Sequence, residues 1–181
     1  MAQVELVNPA TAGSKVKPTL DQINGAFGVV PNMFKAVANS PAALASMWGS
    51  FGALGSGTLG ARLGEELAVA IANVNSCEYC LAAHTALGRK AGASSDDMAA
   101  AQVGKSTDPK TQAALTFALK VVRDRAAVTS SDVDALKEVG FDDEAIVEII
   151  AHVALNLFTN YVNVALGVPV DFPSVQLKRA S

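Results

Sequence analysis

Cysteine and histidine are nearly missing from this chain of 181 residues, with two of each. Tryptophan occurs once, and charged residues make up only 17% against 50% hydrophobic. A soluble monomer of this length normally covers itself with more charge. The shortfall points to an alanine-rich helical protein with a sizeable apolar interface between copies. The length suffices for one domain with a real core. We expect a single domain over residues 1–181, with its core over about residues 18–173.

An excess of basic charge is also missing. Lys and Arg number 14 and Asp and Glu 17, a net charge of −3. Such a balance excludes the basic footprint of a nucleic-acid binder. Met1 to Pro18 lacks the basic start and apolar run of a secretory signal. Residues 36–61 and 149–170 carry no charge. Glycines, hydroxyls and amides interrupt both runs, among them His152, Asn156, Thr159, Asn160 and Asn163. Polar groups of this kind are costly against lipid. Both runs therefore read as buried helices rather than membrane spans. The expected compartment is the cytoplasm, where a close cysteine pair serves catalysis or metal binding more often than stapling.

Alternating strand patterns are absent as well, and alanine and leucine fill periodic segments, so the fold class is all-α. Start and stop residues predict helices at 18–27, 31–39, 41–54 and 61–73, then from Asn75 or Ser76 to about Lys90. Further helices follow from Ser94 or Ser95 to about Val103, from Pro109 to about Arg125, from Ser130 or Ser131 to Gly140, and from Asp142 or Asp143 to about Leu166. Asn75 with Glu78 suggests a capping-box-like start. The tail beyond Phe172 reads as loose. No linker divides the chain.

What the chain does have is concentrated in Asn75-Ser76-Cys77-Glu78-Tyr79-Cys80-Leu81-Ala82-Ala83-His84. Both cysteines and one histidine lie here. At about 100° per residue, Cys77, Cys80 and His84 share one helix face. The unpaired amides of a helix start favour a nearby thiolate, and Cys77 is the nearer thiol. A histidine can take the thiol proton and return it to a leaving group. An oxidised sulfur can then condense with the second thiol. Two other readings compete: buried small hydrophobes, and a zinc site of Cys77, Cys80 and His84 with His152 or a carboxylate as the fourth ligand. A thioredoxin-type pair would follow a strand, whereas this one follows a helix. His152, Asn156, Asn160 and Asn163 form a polar stripe on the last helix. It either lines the thiol pocket or a subunit interface, or satisfies itself internally.

The stretch from Glu65-Glu66-Leu67 through His84 resembles the signature of the carboxymuconolactone decarboxylase and alkylhydroperoxidase D superfamily. Its redox branch has a glutamate twelve residues before Cys-x-x-Cys, then x-x-x-His. Those positions fall here on Glu65, Cys77, Cys80 and His84. Phe27-Gly28-Val29-Val30-Pro31-Asn32-Met33-Phe34, Ser40-Pro41, Asn156-Leu157-Phe158-Thr159-Asn160 and Asp171-Phe172-Pro173 resemble the flanks of its peroxidase-related subgroup. The resemblance implies an alkylhydroperoxidase D-like multi-helix fold, assembled as trimers or hexamers. It implies peroxide reduction without haem or flavin, with an external dithiol or disulfide reductase as partner; no cofactor and no metal are expected. Cys80 would be the peroxidatic thiol and Cys77 the resolving one, although the helix-end argument alone favours Cys77 as the more acidic. Glu65 and His84 would form the proton relay. The best-known members carry a histidine between the cysteines, where Tyr79 stands here. Glu65 lies beside Glu66, and one of the two is expected to turn inward while the other stays solvated. Two rival functions are a lactone decarboxylase on the same scaffold and a non-catalytic redox sensor.

Overall fold

The computed structural model describes residues 2–178. Met1 and residues 179–181 of the expected domain range lie outside the described residues. Nine helices and no strands occur among the described residues: α1 Lys17–Phe27, α2 Asn32–Val37, α3 Pro41–Gly55, α4 Ala61–Val74, α5 Glu78–Lys90, α6 Ser95–Ala101, α7 Pro109–Arg123, α8 Ser130–Glu138 and α9 Asp143–Ala165. The all-α class is as expected.

The starts follow from side chains that accept orphan amides. Ser40 Oγ accepts from Ala43 N at 3.2 Å, Asp108 from Thr111 N at 2.8 Å, and Asp142 from Ala145 N at 2.9 Å. Ser94 and Asp97 form a reciprocal capping box. α8 starts at Ser130, as expected, with Thr129 as N-cap. At the other end of a helix, Gly28 closes α1 in the left-handed region (φ 77°), and its N–H reaches Asn24 O at 2.7 Å.

α4 is the axis of the molecule. It lies along α5 and touches α6, α7 and α9. Seven consecutive residues, Glu66 through Ala72, are buried, because neighbours cover more than one side of the helix. Every helix contributes to one apolar cluster, including Leu20, Met47, Leu67, Ile71, Leu115, Leu136 and Ile149. α9 is long and apolar enough to cross a bilayer. Its inner side, however, carries buried Asn156, Thr159, Asn160 and Asn163 and packs on α3, α4, α5 and α7. It is a helix of the packed body.

Two expectations fail. The tail beyond Phe172 is not loose as far as Lys178. Asn73 Oδ1 accepts from Lys178 N at 2.8 Å, and Asn73 Nδ2 donates to Lys178 O at 2.9 Å. Gln102 Nε2 donates to Gln176 O at 2.8 Å. Two polar side chains of the body thus hold an extended strip that has no periodicity of its own. The second failure is the start of α5.

Candidate functional site

α5 begins at Glu78, not at Asn75 or Ser76. Asn75 instead closes α4, and Ser76 turns left-handed (φ 55°). Ser76 N then reaches Asn73 O at 3.2 Å and Cys77 N reaches Ala72 O at 2.9 Å. This is a Schellman closure with serine in the position glycine usually takes. It compresses the α4–α5 connection into three residues and makes Cys77 the N-cap of α5. Cys77 Sγ accepts from Cys80 N at 3.2 Å, so sulfur occupies the place of a capping oxygen. The expected Asn75–Glu78 capping box does not form. Asn75 Nδ2 donates instead to Asn160 Oδ1 on α9 at 2.9 Å, which ties the turn to the longest helix.

Cys77 and Cys80 are joined as a disulfide with their Cα atoms 5.3 Å apart. Both are buried, at 1% and 2% exposure. Asn163 Nδ2, from α9, donates to Cys80 Sγ at 3.2 Å. Cys80 therefore has an amide donor on its sulfur from a second helix. Each sulfur thus carries one N–H donor at 3.2 Å, the Cys80 backbone amide on Cys77 and the Asn163 side chain on Cys80.

Glu65 and His84 meet across the α4–α5 pair, Glu65 Oε2 lying 2.7 Å from His84 Nδ1. The short turn makes this possible by folding α5 back along α4. Occupation of Nδ1 by the carboxylate leaves Nε2 to exchange protons. Glu66, expected to be solvated if Glu65 turned in, is the more buried of the two at 3% exposure. It is held by Arg62 Nε at 3.0 Å, and Arg62 also reaches Asp97 at 2.9 Å. The two glutamates are thus both engaged, in different ion pairs.

A cavity of about 30 Å³ borders Cys80 and His84. Phe27, Phe34, Phe51, Tyr79 and Phe172 line it with their rings, and Asn163 supplies an amide. Tyr79 lines it with its ring, edge-on to Phe172 at 5.8 Å. Its hydroxyl accepts from Met33 N at 3.2 Å. Burial, with Asp171 adding to it, holds that hydroxyl well above the usual phenol range. Tyr79 is therefore a neutral anchor for the start of α2, and does not replace the histidine that the best-known members carry there.

The polar stripe divides its work. Asn163 contacts the sulfur, Asn160 holds the turn, and Asn156 Nδ2 donates to His152 O at 2.8 Å. His152, the suggested fourth zinc ligand, lines a separate cavity with Glu65 and His84. Among the described residues no group of three His, Cys, Asp or Glu side chains converges as a metal site would require. Asn163 was visible in the sequence as part of the stripe, but its pairing with Cys80 was not. The two residues are 83 positions apart.

Residues 41–124 match the profile of the carboxymuconolactone decarboxylase family. No curated protein matches the sequence. Among solved structures, a peroxidase-related protein from Silicibacter superimposes with a TM-score of 0.82 at 25% identity, covering 93% of this chain and 91% of its own. An alkylhydroperoxidase D core protein from Ralstonia eutropha, also peroxidase-related, gives 0.82 at 26% identity, covering 94% and 92%. The debrominase Bmp8, solved with 2,3,4-tribromopyrrole, gives 0.78 at 20% identity over 94% of each chain. The last shares the fold. The family match over residues 41–124, the two peroxidase-related neighbours and the Cys77–Cys80 pair together support a likeness to the carboxymuconolactone decarboxylase and alkylhydroperoxidase D superfamily.

Proposed function

We propose that the protein is a thiol peroxidase that reduces organic hydroperoxides through a Cys77–Cys80 dithiol/disulfide cycle in the cytoplasm. The observation that carries this reading is the convergence on one cavity of Cys80, the Asn163 amide on its sulfur, and His84 backed by Glu65. The Cys80 thiolate attacks the outer peroxide oxygen, and the O–O bond breaks. The departing alkoxide takes the proton that His84 removed from the thiol, leaving an alcohol and a Cys80 sulfenic acid. Cys77 attacks that sulfur, water leaves, and the disulfide forms. An external dithiol, free or held by a disulfide reductase, returns two electrons and two protons. The sum is one hydroperoxide and one dithiol converted to alcohol, water and disulfide. The ring-lined wall favours an apolar organic hydroperoxide.

Cumene hydroperoxide with a dithiol reductant tests the cycle. Cys80→Ser should fall to background. Cys77→Ser should stop at a sulfenic acid that dimedone traps. Wild-type turnover in Cys80→Ser would overturn the reading.

A second reading draws on the same aromatic wall. The dithiol could remove halogen from an apolar ring, giving the ring a hydrogen and releasing halide and a proton as the disulfide forms. Bromide release from 2,3,4-tribromopyrrole, measured beside peroxide consumption, separates the two.

A further inference from the structure

The mechanism leaves one half-buried imidazole unused. His152 lies on α9 and lines a cavity of about 80 Å³, distinct from the apolar one. Glu65, His84 and Asn156 share that lining, and exposed Gly55, Gly60 and Ala61 form its rim. Its volume has room for more than one water, each needing about 10–15 Å³. His84 is the wall between the two cavities, bordering both. His152 Nε2 is buried without a hydrogen-bond partner among the described residues. A buried polar atom without a partner is uncommon and calls for a role. The ring is also accommodated on purpose at one point. A Cβ on Gly64 would stand 3.2 Å from His152 Cε1, so glycine at the fourth position of α4 makes space for it. Glycine there otherwise weakens a helix.

We propose that this second cavity is a proton antechamber for the dithiol site, in which His152 passes protons between the rim and the Glu65–His84 pair. The inference rests on the peroxidase reading. That cycle takes a proton from a thiol, gives one to an alkoxide and later restores two to the sulfurs. The cavity at Cys80 is walled mainly by apolar groups and offers little for a proton to travel on. The polar cavity behind His84 supplies the missing route. Three groups face His152: Glu148 on its own helix, Glu65 on α4 and His84 on α5. Burial, opposed by the two carboxylates, lowers the imidazole from its usual range. At neutral pH it is thus an uncharged carrier able both to accept and to donate.

The test compares wild type with His152→Asn and Gly64→Ala, the second of which keeps the imidazole and only displaces it. For His152→Asn, kcat should fall about a hundred-fold, the lower end of what a positioned acid–base group supplies, with KM little changed. Its solvent deuterium isotope effect should grow, its kcat–pH profile should lose one ionisation, and added imidazole should restore part of the rate. Gly64→Ala should show a smaller loss of the same kind. A His152→Asn enzyme equal to wild type in rate, profile and isotope effect overturns the inference and leaves the peroxidase standing. So does a slower enzyme with an unchanged profile and no response to imidazole, since that is a structural defect. If His152→Asn does not fold, Gly64→Ala decides, and wild-type kinetics there overturn the proposal. A wild type without turnover removes both the peroxidase and the antechamber.

Discussion

At the scale of the residue, the site is a set of hydrogen bonds that each do one thing. Asn163 illustrates this. Its N–H lies on Cys80 Sγ, and an amide donor stabilises a thiolate more than a thiol. A hydrogen bond to a charged group is worth about 1.5–3 kcal/mol. Asn163→Leu should therefore slow iodoacetamide alkylation of reduced Cys80 at neutral pH by about ten-fold or more. Cys77 provides the internal control, since its sulfur accepts from Cys80 N rather than from Asn163, and should alkylate at its former rate in a Cys80→Ser background. Equal rates for Asn163→Leu and wild type would mean that the amide serves packing alone. Tyr79 makes the complementary point. The sequence presents it as a gap in a relay, whereas its hydroxyl is spent on the Met33 amide.

At the scale of the element, α9 has two faces with different tasks. The inner face carries the asparagines. The outer face presents Val147, Ile150, Ala154, Leu157, Tyr161 and Val164 at alternating spacings of three and four. Val147, Ile150, Tyr161 and Val164 are 65%, 43%, 60% and 51% exposed. That spacing is the seam of a helix that packs against a second helix, and no charged residue interrupts it after Glu148. The low overall charge already asked for an interface between copies, and this face is the proposed one. Ile150→Glu with Tyr161→Glu should shift the protein to smaller species in light scattering, while its circular dichroism stays helical. An unchanged mass would place the interface elsewhere.

Helix positions were legible because caps and stops are local. Asp108-Pro109, Ser40-Pro41 and Asp142 each announce a start within one or two residues. The start of α5 was misread for a physical reason. Asn75 and Glu78 offered a local capping box, but Asn160, 85 residues away, claimed the Asn75 side chain. Ser76 then adopted a left-handed conformation that serine does not advertise. The site was legible to a similar depth. Cys77, Cys80 and His84 share a face by periodicity alone, while Glu65 needed the spacing of a resemblance. The contacts of Asn163, His152 and Phe172 are tertiary, and nothing local encodes them.

At the scale of the whole molecule, the C-terminal strip closes the site. Asn32 clamps it at one point, its N–H donating to Asp171 Oδ2 at 2.8 Å and its Nδ2 to Pro169 O at 3.2 Å. Asn73, in the last turn of α4, clamps it at Lys178. Between the two clamps, Phe172 is pressed edge-on to Tyr79 and walls the cavity at Cys80. On the proposed peroxidase reading the ring limits which hydroperoxide reaches the sulfur, although it takes no part in the chemistry. Phe172→Ala removes one aromatic contact, worth about 0.5–1.5 kcal/mol beyond its buried area, and widens a space of about 30 Å³. kcat/KM for cumene hydroperoxide should then rise relative to that for hydrogen peroxide, which the narrow cavity already admits. Asn73→Ala, which loosens the strip from its outer clamp, should move the same ratio in the same direction by less. If Phe172→Ala lowered both rates equally, the strip would hold α2 and α5 in place without selecting the substrate, and the ratio from Asn73→Ala would stay at the wild-type value.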